Sequence, residues 1–302
     1  MSLPTRVTLC DVGPRDGLQN EKQLVDTAVK VELIHRLQAA GIRRLEATSF
    51  VSPKWVPQMG DNTAVMAALQ RRPEVAVAVL VPNAKGMEAA LPTRPDEIVV
   101  FNAASEAFAQ KNINCSIAES IERFAPVVAQ AKAARIKVRA ALSCALGCPY
   151  EGDIAPEKVG AVAAQLRAIG VDHIGVSDTI GVGTPRRVQA ALEQALKHFP
   201  LEEVSGHYHD TYGQALANVY ASLEVGVSTF DASVGGLGGC PYAKGATGNV
   251  ATEDVVFMLN GLGIETGVDL DALVDAAAFI SNALGRPPVS RVARAVLAKR
   301  GV

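Results

Sequence analysis

The sequence predicts a (β/α)8 barrel, the TIM-barrel class, with additional helices at its C-terminal end. Three observations lead there. Apolar, β-rich runs alternate with amphipathic helical stretches along the whole chain, the pattern of a parallel sheet built with crossover helices. Eight such runs can be marked, the number a closed barrel of this kind needs. The competing architecture, an open doubly wound sheet, calls for a glycine-rich phosphate turn after its first strand. This chain has Gly13-Pro-Arg-Asp-Gly17 there instead.

The candidate strands, in order, are Arg6–Val12, Arg43–Ser49, Val75–Val81, Glu97–Asn102, Lys137–Ser143, His173–Ser177, Val204–His209 and Thr229–Val234. The helix after the first strand has Thr27 as its expected cap. Val29, Leu33, Ile34 and Leu37 form its apolar stripe, and Gly41 stops it. Thr184-Pro185 supplies an expected N-cap and first helical residue for the stripe Val188, Ala191, Leu192 and Ala195. Ala215, Leu216, Val219 and Leu223 mark the helix after the seventh strand, which should end near Gly226. From about Val268 to Val302 the chain reads as one or two helices beyond the barrel. The 302 residues, 49% of them hydrophobic, are enough for a large core, and residues 1–302 are read as a single catalytic domain with 268–302 as its helical extension.

Composition excludes several functions. The net charge is -2 and no Lys/Arg-rich run occurs, so a nucleic-acid partner is not expected. No apolar run approaches membrane-spanning length. The first residues carry neither a secretory nor a transit pattern, so a cytoplasmic location is expected. Five cysteines, Cys10, Cys115, Cys144, Cys148 and Cys240, are an odd number, which argues against a disulfide framework. Cys144 and Cys148 lack the spacing of a structural zinc site and are expected to be buried or pocket-lining thiols.

In a barrel the chemistry collects at the C-terminal ends of the strands. Here those ends deliver Asp11 to Gln19, including Arg15 and Asp16, then Glu46, Asn102, Ser143-Cys144, Asp178-Thr179, and finally His207 and His209. If Val204–His209 is a strand, its period of two puts both imidazoles on one face. Two half-buried histidines on a polar strand end would be the plain reading of that pair alone. The gathering of Glu46, Asp178 and Asp16 at the same rim favours a catalytic metal site. Two imidazoles, Asp16 and a neutral oxygen suit octahedral Mg²⁺ or Mn²⁺, with zinc a less fitting alternative. After the last strand, six glycines between Gly235 and Gly248 surround Cys240. They lack the Gly-Lys-Ser/Thr of a phosphate loop and read either as a lid carrying a reactive thiol or as a flexible loop with an inert one.

These segments resemble the 3-hydroxy-3-methylglutaryl-coenzyme A lyase family, within the wider DRE-TIM metallolyase group. The resemblance runs almost the full length. It rests on Val12-Gly-Pro-Arg-Asp-Gly-Leu-Gln-Asn-Glu21, on Thr48 to Asp61, on Lys111-Asn-Ile-Asn-Cys-Ser116, on Ser143-Cys-Ala-Leu-Gly-Cys-Pro-Tyr-Glu-Gly152, on Asp178 to Pro185, on His209 to Asn218 and on Gly238 to Asn249. The Arg-Asp and His-x-His elements belong to the wider group, whereas the Cys240 loop is more specific to the lyase. Tyr208 is bulkier than the residue expected between the two histidines, and it should face the helix layer.

The resemblance implies ligand roles for Asp16, His207, His209 and Asn249 around a divalent cation, Mg²⁺ or Mn²⁺. It implies that Arg15 steadies the substrate carbonyl and the developing enolate, that Cys240 is an acid–base thiol, and that Glu46 and Asp178 tune the site. Substrate contacts are expected from Arg15, Gln19, Thr179, Lys111 and Asn112, the last two towards the coenzyme A portion. The implied reaction cleaves 3-hydroxy-3-methylglutaryl-CoA to acetoacetate and acetyl-CoA, a step of leucine breakdown, with His207, Asp16 or Asp178 as base for the C3 hydroxyl. A lyase for a related 3-hydroxyacyl-CoA is the alternative. The resemblance also implies a homodimer.

Overall fold

The computed structural model describes residues 3–239 and 248–301. Eight parallel strands close into a barrel. In chain order the strands are β1 (Thr8–Asp11), β2 (Arg44–Ser49), β3 (Ala76–Leu80), β4 (Glu97–Ala103), β5 (Lys137–Ser143), the short antiparallel pair β6 (Gly147–Cys148) and β7 (Gly152–Asp153), β8 (His173–Asp178), β9 (Val204–Tyr208) and β10 (Thr229–Ala232). Around the barrel the order is β1-β10-β9-β8-β5-β4-β3-β2. All eight expected strands are in it. The β6–β7 hairpin, which leaves the end of β5, has no period long enough to be seen in the sequence.

Helices wrap the outside and bury their apolar stripes against the strands. The helix Ile117–Ala133 shows how. Ser116 and Glu119 form a capping box that satisfies both orphan amides, and Ile117, Ile121, Phe124, Val127, Val128 and Ala131 are its buried face. The helix Pro185–Ala195 begins with Pro185 after the N-cap residue Thr184 as expected, although the Thr184 side chain makes no capping bond. Thr27 departs from expectation. The N-cap position is Asp26, and the Thr27 hydroxyl donates to Asp61 Oδ2 at 2.7 Å, joining its helix to the β2 exit loop. Gly41 does end that helix. Its φ is +99°, and a Cβ there would lie 2.3 Å from the carbonyl oxygen of Gly267. Two helices, Leu270–Ala283 and Arg291–Arg300, follow the barrel. The first packs beside the helix Thr27–Ala39. No described helix is long and apolar enough to cross a membrane.

The barrel interior is divided. Ala78, Leu80 and Val99, with Phe101 and Ala141 against them, form a small apolar cluster separate from the main core. The other side is charged. Residues paired in register across parallel strands share a face, and Cys10 pairs with Asp231, which pairs with His207. This places Cys10, Asp231 and His207 together with Glu46 and Arg139 on the inner wall.

Candidate active site

The turn after β1 is a single π-helical turn, Gly13–Gly17, with the amide of Gly17 bonded to the carbonyl of Val12 at 3.1 Å. Such wide turns are uncommon and gather at functional sites. This one aims two consecutive side chains, Arg15 and Asp16, into the mouth of the barrel. Opposite them β9 brings His207 and, one residue past its end, His209. Ligand atoms of Asp16, His207 and His209 all lie within 4.8 Å of one another. The two imidazoles are 5.4 Å apart and tilted, so the period-of-two expectation for the histidine pair is met. Asn249 is held beside them by an antiparallel bridge to His209. Its amide nitrogen donates to Asp16 Oδ2 at 2.8 Å and reaches the carbonyl of Leu237 at 3.3 Å.

Around this cluster runs a network of buried charges. Arg15 donates through Nε to Glu46 at 2.7 Å and through an η nitrogen to Asp16 at 2.6 Å. The second Glu46 oxygen accepts from Arg139 at 3.2 Å. Arg139 grips both oxygens of Asp231, at 2.7 and 2.8 Å. Its Nε also lies 3.2 Å from Glu97, near enough to pair though not aligned as a hydrogen bond. Asp231 then meets Nδ1 of His207 at 3.2 Å. Thus a continuous chain of contacts, Asp16–Arg15–Glu46–Arg139–Asp231–His207, begins and ends on candidate ligands.

The charges set the protonation states. Burial would raise the Asp16 carboxyl, but Arg15 and the two histidines beside it pull it down to about 2, leaving it ionised. Burial, with His207 adding to it against Asp16, lowers His209 to about 4, so its ring is neutral near pH 7. Burial also works against a charged His207, but the bond and charge of Asp231 outweigh it and raise that ring. Asp231 itself is opposed by burial yet held well below the usual carboxylate range by Arg139 and His207. An ionised carboxylate, a neutral imidazole and a second imidazole whose far nitrogen is fixed by a carboxylate form a donor set suited to a divalent cation. His209 Nδ1 is buried without a hydrogen-bond partner, as a nitrogen waiting for an electrophile would be.

Other expected site residues lie elsewhere. The Asp178 carboxylate pairs in register with Tyr208 rather than with His207. It accepts from the amides of Val182 and Gly183 at 3.1 and 2.8 Å. It lies at the end of its strand as expected, but it fastens the turn after β8 and is not one of the clustered groups Asp16, His207 and His209. Burial raises it to about 6, against those amide bonds. Thr179 accepts from the amide of Cys144 at 2.7 Å, tying β8 to the β5 exit. Gln19 is half-buried just beyond the π turn. Lys111 and Asn112 lie on the helix Glu106–Ile113, where the Lys111 ammonium sits 5.1 Å from the ring centre of Tyr150. Cys240 lies outside the described residues. The described cysteines, Cys10, Cys115, Cys144 and Cys148, are buried. Tyr208 does face the helix layer, meeting the Ser222 hydroxyl at 2.7 Å.

The sequence reading missed Asp231 and Arg139. Both are charged residues in the middle of otherwise apolar strands, in Lys137-Val-Arg-Ala-Ala-Leu-Ser143 and Thr229-Phe-Asp-Ala232. A charge at an inward strand position is the signal that could have found them.

A family model described as HMGL-like matches residues 6–280. The chain is 55% identical over 299 residues to a protein of Pseudomonas aeruginosa named 3-hydroxy-3-isohexenylglutaryl-CoA/hydroxy-methylglutaryl-CoA lyase, covering 99% of this chain and 100% of that one. It is 54% identical over 294 residues to the human mitochondrial hydroxymethylglutaryl-CoA lyase, covering 97% of this chain and 90% of that one. Among solved structures, the hydroxymethylglutaryl-CoA lyase of Pseudomonas aeruginosa superposes with a TM-score of 0.97 at 55% identity, covering 99% of this chain and 100% of that chain. An HMG-CoA lyase of Acinetobacter baumannii in complex with coenzyme A and 3-methylmalate gives 0.93 at 35% identity, covering 98% and 96%.

Proposed function

The chain belongs to the HMGL-like family, and from that premise we propose that it is a carbon–carbon lyase that cleaves (S)-3-hydroxy-3-methylglutaryl-CoA to acetoacetate and acetyl-CoA with a divalent cation. The observation that carries this reading is the convergence of Asp16, His207 and His209 at the barrel mouth with Arg15 alongside. Asp16, His207 and His209 would hold the ion, with Asn249 supplying a neutral oxygen once its amide turns. Mg²⁺ or Mn²⁺ suits this set of hard oxygens and imidazoles. Such an ion supplies positive charge that lowers the pKa of a hydroxyl bound to it.

The remaining chemistry belongs to the side chains. The C3 hydroxyl gives up its proton, its oxygen electrons form the ketone of acetoacetate, and the bond between C2 and C3 breaks. The electron pair of that bond passes to the thioester as an enolate. His207, backed by Asp231, is assigned to take the proton, with Asp16, His209 and Asn249 left to hold the ion, since an imidazolium cannot ligate and its charge is balanced by the carboxylate. Asp178 is not so arranged, because its carboxylate is bonded to the turn after β8. Arg15, fixed by Glu46 and Asp16, offers a guanidinium to the developing enolate oxygen without reorganising. Cys240 is the assigned donor of the proton that converts the enolate to acetyl-CoA. Lys111 and Asn112, with Gln19 and Thr179 nearer the mouth, are assigned to the coenzyme A and acyl portions.

The dual name of the Pseudomonas relative favours a second substrate, a 3-hydroxyglutaryl-CoA with a longer branched group at C3. The apolar inner wall of Leu80, Phe101 and Ala141 could receive that group. We further place the protein in the cytoplasm, as a homodimer, in leucine breakdown. The deciding experiment strips the protein of metal, adds back Mg²⁺ or Mn²⁺, and measures acetoacetate from each thioester. Metal-restored acetoacetate supports the assignment. A folded protein that forms none with any divalent ion overturns it.

A further inference from the structure

Beneath the π turn lie two buried acids that the mechanism leaves unused. We propose that Asp11 and Glu253 are positioning residues, a carboxyl clamp that fastens the turn carrying Arg15 and Asp16 to the segment that leaves β10. Asp11 Oδ1 accepts from the amide of Gly13 at 2.8 Å, and its Oδ2 accepts from the Thr252 hydroxyl at 2.7 Å. Glu253, the next residue after Thr252, accepts from the amide of Gly235 at 2.8 Å. The first turn of one helix, Thr252–Gly261, therefore holds both functional segments. The two segments also touch directly. A Cβ on Gly13 would lie 2.9 Å from Val234, and one on Gly17 would lie 2.7 Å from Leu237.

Neither acid has a basic partner among the described residues. The charged groups acting on them are Asp231 on β10 and Asp254 on the same helix, together with each other. Asp231 is engaged by Arg139 and His207, and Asp254 by Ser290 and the amides of Arg291 and Val292. On the π turn, Arg15 is committed to Glu46 and Asp16. On the two C-terminal helices, Asp271, Asp275, Arg291 and Arg294 are exposed. Glu253 is fully buried and its Oε2 has no partner. An ionised group there would be an unpaired buried charge, so Glu253 keeps its proton, whereas Asp11 accepts at both oxygens. In agreement, burial pushes Asp11 up to about 7 and Glu253 up to about 8, against the hydrogen bonds each accepts.

The sign of the pH effect follows. Both acids have folded values above their unfolded ones, so the native state binds more protons, and stability is lost as pH rises from the ordinary carboxyl range to the folded values. The test compares wild type with Glu253→Gln, which keeps an acceptor for Gly235 but cannot ionise, and with Glu253→Met, which keeps the shape but has no acceptor. Thermal midpoints of the metal-free proteins are measured from about pH 6 to about pH 9.5, with Mn²⁺ affinity and kcat beside them. The wild-type midpoint is expected to fall as pH rises from about 6 to about 8 and to level off above that, and the Gln variant to resist that fall by several degrees. The Met variant should bind Mn²⁺ and turn over at least about tenfold less well than the Gln variant, since a small shift of a site costs that much. Equal falls in wild type and the Gln variant between about pH 6 and about pH 8 overturn the protonated clamp. Equal Mn²⁺ affinities in the Gln and Met variants overturn its positioning role. If the Met variant does not fold, the midpoint curves still decide. The kcat comparison rests on the lyase reading above, whereas midpoints and Mn²⁺ affinity stand whether or not that thioester is cleaved.

Discussion

Replacing Asp231 by Asn tests whether the charge network serves the ligands. The substitution keeps the side-chain volume and one acceptor oxygen. It removes one of the two charge-assisted bonds from Arg139 and the carboxylate facing His207. A ligand histidine whose far nitrogen loses its carboxylate typically binds metal about 10–100-fold more weakly, or about 1.4–2.7 kcal/mol. Breaking a buried ion pair by removing one partner costs about 3–5 kcal/mol. Arg139 keeps Glu46 and Glu97, so the lower end, about 3 kcal/mol, is expected for the metal-free protein. The assay is calorimetric titration of stripped protein with Mn²⁺, followed by kcat at saturating metal. Asp178→Asn serves as the contrast, because its carboxylate faces backbone amides and not the histidines. Weakened metal binding in the first variant only, by about tenfold or more, supports the reasoning. An unchanged Mn²⁺ affinity in Asp231→Asn refutes it, since the His207 ring would then be oriented by something other than Asp231.

Arg15→Gln should lower kcat by roughly 10²–10³ while KM moves little, as expected for a donor aimed at developing charge; steady-state kinetics with saturating metal checks this, and a pure rise in KM would remove the assigned role. Tyr208→Phe loses one buried hydroxyl contact, but Ser222 still donates to the carbonyl of Asn218, so a loss of about 1 kcal/mol is expected by denaturant titration. Gly41→Ala should destabilise by more than about 2 kcal/mol, because it combines a left-handed φ with a 2.3 Å approach to a carbonyl oxygen; a midpoint within error of wild type would contradict that.

The barrel was legible because its signals are local and repeated. Each strand is a short apolar run between helical stripes, and all eight were placed within a few residues. The histidine pair was legible for the same reason, since His207 and His209 need only a strand's period to share a face. What stayed hidden depends on closure. Asp231 and His207 are neighbours only because β10 pairs with β9, and Arg139 reaches Asp231 across the barrel from β5. The place of Asp178 at a strand end was legible, but its partners were not. A carboxylate at a strand end reads alike whether it faces the axis or its own turn, and only the register with Tyr208 separates the two. Thr27 sat at a helix start where several residues could cap, and its competing partner, Asp61, came from a distant loop.

The placement of these charges also bears on how the barrel divides its labour. Buried ion pairs are weak stabilisers, because desolvation offsets most of their attraction. The large apolar core lies between strands and helices, so the interior need not supply cohesion. That leaves the inner wall available for orientation. Three guanidiniums, of Arg15, Arg44 and Arg139, face four carboxylates, of Asp16, Glu46, Glu97 and Asp231. One negative charge is left over among these seven groups, and Asp16, at one end of the chain of contacts, adjoins the histidines. A network that balanced itself would hold its arginines just as firmly but would not attract a cation. With His207 neutral, that excess favours a cation at the barrel mouth. It also predicts the metal-free protein to be the less stable form, with the gain on adding Mn²⁺ growing with metal concentration as linkage requires.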